Sequence, residues 1–240
     1  MTRRHLKVAT YNVHGCVGTD RKFALGRTAD AIASLEADVV ILQEVGDALR
    51  RWPAVNQAHD LAEKCRMGYA VGYTMPVGPW GYGNVVLTRG SISEVERFDI
   101  SVDGKEPRGC LRLDVRVEGV TLQVIGLHLG LGWRERRSQV RQLLAHGGAL
   151  HGVERGVVIG GDFNDFGIGA TRILERKKFV DAAQARRDLR ATFPSRLPVL
   201  RLDRLYSRGD VTVTGYNVVR SKLTRIASDH LPVVAEYEVT

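Results

Sequence analysis

The sequence predicts a layered fold of the α/β or α+β class, in which two packed β-sheets carry helices on their outer faces. Two observations support this prediction. Short runs rich in β-branched residues recur along the 240-residue chain, and segments with helical spacing of apolar residues lie between some of them. Since no Pro/Gly/Ser-rich linker, repeat or low-complexity tract interrupts the pattern, we expect one domain over residues 1–240.

The first part of the chain predicts four strands and one helix. Leu6–Tyr11 predicts a strand, and apolar residues at helical spacing over residues 29–35 predict a helix. The continuous apolar run Asp38–Gln43 is typical of a strand that is buried on both faces. Further strands are predicted at Asn84–Thr88 and Ser93–Ile100.

The middle of the chain predicts a hairpin and then a helix. The strands Leu111–Val117 and Val120–Leu127 are separated only by Glu118-Gly119, which favours a tight turn. A helix is predicted over Trp133–Leu150. Its inner face is predicted to consist of Val140, Leu143, Leu144 and Trp133, and its outer face of Arg134, Arg136, Arg137 and Arg141.

Four strands are predicted in the last part of the chain. Val157–Ile159 is a short buried run, and Val199–Leu202 is a second short run that precedes an aspartate. Val211–Val219 alternates between apolar and polar residues, and Pro232–Val239 predicts one more strand.

Charge and cysteine content narrow the class of protein. Lysine and arginine outnumber aspartate and glutamate by 35 to 27, which gives a formal net charge of +8. A basic surface suits nucleic acid, a phosphorylated small molecule or an acidic membrane face, although it also serves solubility alone. The three cysteines are too few and too widely spaced for a disulfide scaffold or a zinc site, which indicates a reducing compartment. With no evident signal peptide or transmembrane segment, we expect a cytoplasmic protein, and a monomer.

Polar side chains stand at the ends of the predicted strands. They are Asn12, Glu44, His128, Asp162, Asn164, Asp203, Asp229 and His230. Each of them alone is more commonly a turn residue, a helix cap or a hydrogen-bonded core residue. Their recurrence at the ends of six strands instead favours a functional site at one rim of the sheets.

Several short motifs, in a fixed order along the chain, carry a resemblance to a known family. They are TYN at 10–12, LQE at 42–44, GNVVLTR at 83–89, HLG at 128–130, GDFN at 161–164, RLDRLY at 201–206 and SDH at 228–230. Together they resemble the endonuclease/exonuclease/phosphatase superfamily, which includes DNase I. The resemblance implies a four-layer α/β sandwich with two mainly antiparallel sheets flanked by helices, and phosphoester hydrolysis with Mg²⁺ or Mn²⁺.

The same resemblance implies which residues hold the metal. Glu44 is expected to be the principal ligand, and Asn12 is expected to hold the metal or the phosphate. Asp229 would be a second carboxylate that faces the metal. The chemistry is consistent, because a hard divalent cation prefers oxygen ligands of this kind.

The remaining site residues are assigned catalytic roles by the resemblance. Asp162 would orient or deprotonate the attacking water, and Asn164 would donate to a phosphoryl oxygen. His230 would act on the phosphate, and Asp203 would orient this histidine. Whether Asp162 or His230 is the general base depends on geometry and stays open at this stage.

His128 bears on the substrate, since AP endonucleases of the family carry a tyrosine there, whereas DNase I, sphingomyelinases and inositol phosphatases carry histidine. We predict a metal-dependent phosphodiesterase that acts on DNA or RNA. Hydrolysis of a phospholipid headgroup or small phosphorylated molecule is the alternative, and non-catalytic nucleic-acid binding has less support. Substrate contacts are predicted at Tyr82, Asn84, Arg136 and Arg137.

Overall fold

A computed structural model describes residues 4–46, 55–77, 79–146, 156–166 and 169–239. Their strands form two six-stranded sheets. The first sheet contains β1 (Arg4–Asn12), β2 (Val39–Val45), β3 (Gly68–Val77), β4 (Trp80–Thr88), β11 (Val211–Val218) and β12 (Val233–Val239). The second contains β5 (Ser91–Asp99), β6 (Gly109–Val117), β7 (Val120–His128), β8 (Val157–Asp162), β9 (Val180–Asp181) and β10 (Asp203–Arg208). The strand orders are β11-β12-β1-β2-β4-β3 and β5-β6-β7-β8-β10-β9.

Six helices connect or cover the strands of the described ranges. They are α1 (Leu25–Ala33), α2 (Gln57–Cys65), α3 (Trp133–Ala145), α4 (Thr171–Arg176), α5 (Ala182–Ala185) and α6 (Lys222–Ala227). None of the helices in these ranges is both long and apolar enough to cross a membrane.

Three apolar interfaces separate four layers, so the predicted four-layer sandwich is confirmed. The central interface lies between the two sheets and includes Ile41 of β2 and Leu113 of β6. A second joins the first sheet to α1 and α2 through residues such as Leu42. A third joins the second sheet to α3 and α4. Because consecutive residues of a strand face opposite sides, β2 is buried on both faces, which explains its continuous apolar run.

The strand directions bring many strand ends to one rim of the sandwich. The pairs β1–β2 and β7–β8 are parallel, and the other neighbouring pairs of named strands are antiparallel. Asn12 at the end of β1 also contacts Asp162 at the end of β8, so the four parallel strands end at the same rim. The strands that run against them, among them β4, β6, β10 and β12, begin there. We call this edge the catalytic rim, since it carries the predicted catalytic residues.

The Glu118-Gly119 turn is confirmed as the two-residue connection of β6 to β7. Both residues have positive φ, at 48° and 86°, and Val117 pairs with Val120 across the turn. Such a turn has the twist of the strands that flank it, so the sequence signal and the geometry agree.

Two predictions of secondary structure are wrong. Val199–Leu202 is not a strand, and the strand β10 begins at Asp203 and continues through the residues after it. The helix predicted to Leu150 ends at Ala145, and residues 147–150 lie outside the described ranges. The elements α2, β3, α4, β9, α5 and α6 were not predicted. The segments α2 and β3 break the apolar periodicity with polar and glycine residues, and the other four elements are two to six residues long.

The faces of α3 also differ from the prediction. Val140 and Leu143 are fully buried against the second sheet, as expected. Trp133, however, is 57% exposed at the first position of the helix. Arg136 is buried instead, with only 4% exposure.

Gly90 allows the chain to pass from the first sheet to the second. A Cβ at this position would overlap the backbone oxygen of Arg116, which cannot move aside without disturbing β6. We expect Gly90→Ala to lower the free energy of unfolding by about 2 kcal/mol. Gly26→Ala is the matched control, because a Cβ at Gly26 on α1 meets no atom, and it should stabilise by about 0.5–1 kcal/mol. Urea unfolding of both variants measures the difference, and equal stability would contradict this role of Gly90.

Candidate active site

Asn12 joins the two sheets at the centre of the catalytic rim. Its Nδ2 atom donates to Glu44 Oε1 at 2.8 Å, in the same sheet, and to Asp162 Oδ2 at 3.1 Å, across the sandwich. Its Oδ1 atom accepts from the backbone N–H of His14 at 3.0 Å. A fully engaged, buried amide thus holds two carboxylates close together, one from each sheet. Glu44 and Asp162 face the same end of the sandwich.

Glu44 has a backbone conformation that is unusual for a strand. Its φ is 57°, and the pairing of β2 with β4 is irregular between Leu42 and Val45. Such a bulge redirects a side chain and is common next to active sites. Burial raises the pKa of the Tyr82 hydroxyl, and the negative charge of Glu44 raises it further, so Tyr82 stays protonated.

Asp162 is the buried carboxylate at the end of β8. Its Oδ1 atom accepts from the backbone N–H of Asn164 at 2.9 Å. Its Oδ2 atom lies 3.6 Å from Nε2 of His128 and 3.7 Å from Nε2 of His230. Burial raises the pKa of Asp162, and the two neighbouring imidazoles partly oppose this shift. A carboxylate with a raised pKa is a stronger base than one in water.

His128 is neutral in this environment. Burial lowers its pKa to about 3, with a smaller opposing effect from Asp162. The amide nitrogen of Asn164 lies 3.2 Å from its Nε2 atom and also donates to the carbonyl of Leu129 at 2.9 Å. Both N–H groups of Asn164 are thus engaged in the free protein, and donation to a phosphoryl oxygen stays a prediction. Asn164 itself has a φ of 47°, which asparagine adopts more readily than most residues.

His230 carries the opposite shift because it has a carboxylate partner. Its Nδ1 atom lies 2.9 Å from Oδ2 of Asp203, and its ring packs on Phe193 at a centroid distance of 4.8 Å. Burial alone would lower its pKa, but the charge and hydrogen bond of Asp203, together with Asp162, raise it to about 10. His230 is therefore an imidazolium at neutral pH, with Nε2 directed toward Asp162.

Asp229 lies at the more open side of the rim. Its side chain is 37% exposed, and its Oδ1 atom is 3.6 Å from Nδ1 of His14. Ser228 connects it to the centre of the site, because its hydroxyl donates to the backbone oxygen of Asn12 at 2.7 Å and lies 3.3 Å from Asp229 Oδ1. His14 was not predicted from the sequence, since it follows the motif residue Asn12 in a short 3₁₀ segment rather than a strand end.

Two groups of residues fit a divalent cation differently. Asp162, Asp203 and His230 offer three ligand atoms within 4.8 Å of one another. In this group, however, Asp203 already engages Nδ1 of His230, so the pair is better suited to proton chemistry. Glu44 contacts the Asn12 amide directly, and Asp229 is linked to the Asn12 backbone through Ser228. Carboxylate oxygens of this kind are the ligands that Mg²⁺ or Mn²⁺ prefers.

Arg108 is a neighbour of the site that was not predicted from the sequence. It directly precedes β6 at the catalytic rim and is 6% exposed, with both terminal nitrogens on Glu106 at 2.9 and 3.1 Å. Its charge further lowers the pKa of His128. The signal was available, because Arg108 stands at a strand end like the residues that were singled out.

The structure separates the four predicted substrate contacts. Tyr82 and Asn84 lie in the first half and at the middle of β4 and are 9% and 2% exposed. Asn84 Nδ2 donates to the carbonyl of Gly109 at 2.9 Å. The prediction that Arg136 lies on an exposed face is wrong. Its Nε atom is 3.5 Å from Asp165 Oδ1, and its Nη1 atom donates to the backbone oxygen of Leu131. Arg137 is half-buried, and its contact with a substrate stays a prediction.

The sequence of residues 9–230 matches the pattern of the Endonuclease/Exonuclease/phosphatase family. The chain belongs to this family. Its members hydrolyse phosphoester bonds and generally use divalent metals, so the protein is a phosphoester hydrolase. The uncharacterized protein YbhP of Escherichia coli strain K12 is 34% identical over 242 residues, which cover 96% of this chain and 95% of YbhP.

Solved structures of the endonuclease/exonuclease/phosphatase family show the same fold. A family protein from Bacteroides thetaiotaomicron superposes with a TM-score of 0.79 at 19% identity and covers 100% of both chains. One from Beutenbergia cavernae has a TM-score of 0.77 at 22% identity, over 98% of this chain and 72% of that one. The mannosyl-6-phosphatase Bt3783 of Bacteroides thetaiotaomicron has a TM-score of 0.76 at 20% identity, over 97% and 99% of the two chains. At these identities the likeness concerns the fold.

Removal of the Asp203 charge should change the titration of His230. We expect Asp203→Asn to lower the pKa of His230 from about 10, because burial of the imidazolium would lose its main opposing interaction. Imidazole resonances of the metal-free protein, followed by NMR across pH, measure this pKa. His128 is the internal control and should stay neutral in both proteins. If both histidines titrated at their ordinary pKa in the wild-type protein, the opposite protonation states described above would be wrong.

Arg136 should contribute mainly to stability. We expect Arg136→Ala to lower the free energy of unfolding by about 3 kcal/mol, because it leaves the buried Asp165 carboxylate without its cation. Arg134→Ala, two positions earlier on the exposed side of α3, should cost less than about 0.5 kcal/mol. Urea unfolding compares the two, and equal effects would show that the Arg136–Asp165 pair is unimportant.

Proposed function

We propose that the protein is a nuclease that hydrolyses phosphodiester bonds of DNA or RNA with a divalent cation, Mg²⁺ or Mn²⁺. The observation that carries the proposal is the buried Asp162 carboxylate between a neutral and a protonated histidine, linked through Asn12 to the metal-type ligand Glu44. This arrangement combines a base, an electrostatic stabiliser and a cation site at one point.

Glu44 is the principal residue that would hold the cation, with Asp229 as a second carboxylate and Asn12 beside it. When bound, the cation neutralises charge on the phosphoryl oxygens and polarises the phosphorus centre. Asn12 fixes the positions of the Glu44 and Asp162 side chains relative to each other, because one amide nitrogen contacts both carboxylates. The cation side and the base side of the site are therefore fixed relative to each other.

Asp162 is the group best suited to accept a proton from the attacking water. Its raised pKa makes it more basic, and the hydrogen bond from Asn164 fixes its orientation. His230 cannot accept a proton at neutral pH, because it already carries one. We therefore assign the base role to Asp162.

His230 would stabilise the negative charge that develops on the phosphate. Asp203 holds its Nδ1 atom, so the group that would donate to the phosphate is the Nε2–H, which faces Asp162 in the free protein. His128, held neutral by burial, adds no second full charge beside Asp162, and its Nε2 atom would position the Asn164 amide.

Charge supports nucleic acid as the substrate. The net charge of +8 favours a polyanion over a substrate with a single phosphate. The mannosyl-6-phosphatase Bt3783 shows that this fold also serves in a protein named for a phosphorylated sugar, so small phosphate esters belong among the substrates to be tested.

The roles of Asp162 and Glu44 can be tested by substitutions that keep shape and remove charge. We expect Asp162→Asn and Glu44→Gln each to reduce hydrolysis of single-stranded DNA, RNA and bis-p-nitrophenyl phosphate by about 10²-fold or more in Mn²⁺ or Mg²⁺. EDTA should abolish the wild-type activity. Circular dichroism should show an unchanged fold.

The matched control is Glu118→Gln, which changes the same charge in the β6–β7 turn at the opposite end of the sandwich. It should keep full activity. If Asp162→Asn retained near-wild-type turnover, the base assignment would be wrong. If only phospholipid or sugar phosphates were hydrolysed, the enzyme would be a small-molecule phosphoesterase and not a nuclease.

A further inference from the structure

A cationic groove lies beside the candidate active site, between α3 and α4. It is a cavity of about 380 Å³ whose walls include Trp133, Arg137, Arg172 and Arg176, with the buried pair Arg136–Asp165 at its base. We call it the arginine groove. The catalytic mechanism proposed above does not use it.

The acidic group of the arginine groove is already neutralised. Asp165 Oδ2 accepts the backbone N–H groups of Ala170 and Thr171, both at 3.2 Å, and its Oδ1 atom pairs with Arg136. Over the described part of the chain, no carboxylate forms an ion pair with Arg137, Arg172 or Arg176. Three arginines that form no ion pair in the described part of the chain therefore line one cavity, and such a cluster attracts an anion.

Trp133 arranges the cations at the entrance of the groove. The guanidinium carbon of Arg137 lies 5.6 Å from the centroid of its ring, and that of Arg134 lies 5.5 Å from it. Contact with an aromatic face holds a guanidinium in place and leaves its N–H groups free to bind oxygen atoms. This role explains why a tryptophan is 57% exposed at the start of α3.

Chain connectivity places the arginine groove next to the reacting centre. Asp165 directly follows Asn164, which contacts His128, and α3 begins a few residues after His128. A hydrogen bond from Arg204 to the backbone oxygen of Asp165, at 2.8 Å, ties this segment to β10, the strand that begins with Asp203. A ligand that reaches from the active site into the arginine groove thus needs one anionic group in each of them. Consecutive phosphates of a nucleic-acid strand provide two such groups.

We propose that the arginine groove binds the phosphates that flank the scissile phosphodiester in a nucleic-acid strand. This inference rests on the proposed function and deepens it, because it states where the substrate strand lies beyond the cation site. Arg137, Arg172 and Arg176 contact the flanking phosphates, and Trp133 positions Arg137.

The test is the salt dependence of binding, measured without catalysis. The chain with Asp162→Asn, in EDTA, is titrated with a fluorescent single strand of about 12 nucleotides over about 50 to 200 mM salt. Each of Arg172→Ala and Arg176→Ala should weaken binding. Each should also make the negative slope of log affinity against log salt shallower by about 0.7 to 1, because each removes one phosphate contact. Trp133→Ala should weaken binding with little change in slope, since it frees the Arg137 side chain from the ring that holds it and removes no charge.

Arg116→Ala is the matched control, because it removes an exposed arginine at the far end of β6. It should leave affinity and slope close to those of the parent chain. If Arg172→Ala and Arg176→Ala behaved like Arg116→Ala, the groove would not bind the strand. Arginine-dependent binding of phosphatidylserine vesicles, with no binding of the oligonucleotide, would also overturn the proposal.

Failure of the groove and failure of the proposed function give different results. Hydrolysis of bis-p-nitrophenyl phosphate by the otherwise wild-type chain tests the chemistry, since this ester has no flanking phosphate. If that activity is present and the groove substitutions do not affect oligonucleotide binding, only the groove assignment is wrong. If the activity is absent while the groove substitutions make the salt dependence of binding shallower, the groove assignment stands and the catalytic proposal fails.

Discussion

The parallel pairing of β1 with β2 and of β7 with β8 is the constraint on which the site depends. It brings the ends of four central strands to one rim, and there the chain places Asn12, Glu44, His128 and Asp162. The antiparallel neighbours begin at the same rim and add Asp203 and His230. Hydrogen bonding between the strands thus brings these functional groups to one rim. The Asn12 amide then joins the two sheets at that point.

Two histidines at nearly equal distances from one carboxylate acquire opposite protonation states. The difference comes from their second neighbours. His230 has Asp203 on its other ring nitrogen, whereas His128 is near the cation Arg108 and contacts an amide. Burial acts on both and favours the neutral form, so the local charge decides the outcome. The polarity of the site is therefore set by residues that need not contact the substrate, Asp203 and Arg108.

The ends of the predicted strands were the best guide to the candidate site. A hydrophobic run locates a strand, and the first polar residue after that run lies at the rim of the sheet. The same reasoning failed for Asp203, which begins a strand, since the apolar residues before it belong to a loop paired with residues near Phe193. Arg136 was misassigned because helical spacing shows which face a residue occupies but not which long side chain turns inward to a buried aspartate. Arg172 and Arg176 could not be connected to Trp133 from the sequence, because their proximity depends on how α3 and α4 pack.

The bonds that close the site join residues far apart in the chain. Asn12 contacts Asp162 across 150 positions, and Ser228 contacts Asn12 across 216. A ribosome releases these segments in order, so a nascent chain has β1 and β2 long before β12 can pair with β1. Until residues 228–230 have been translated and docked, the imidazolium and Asp229 are missing from the rim. The site of this phosphoester hydrolase is therefore complete only after the last strand of the chain has been made and has paired with the first.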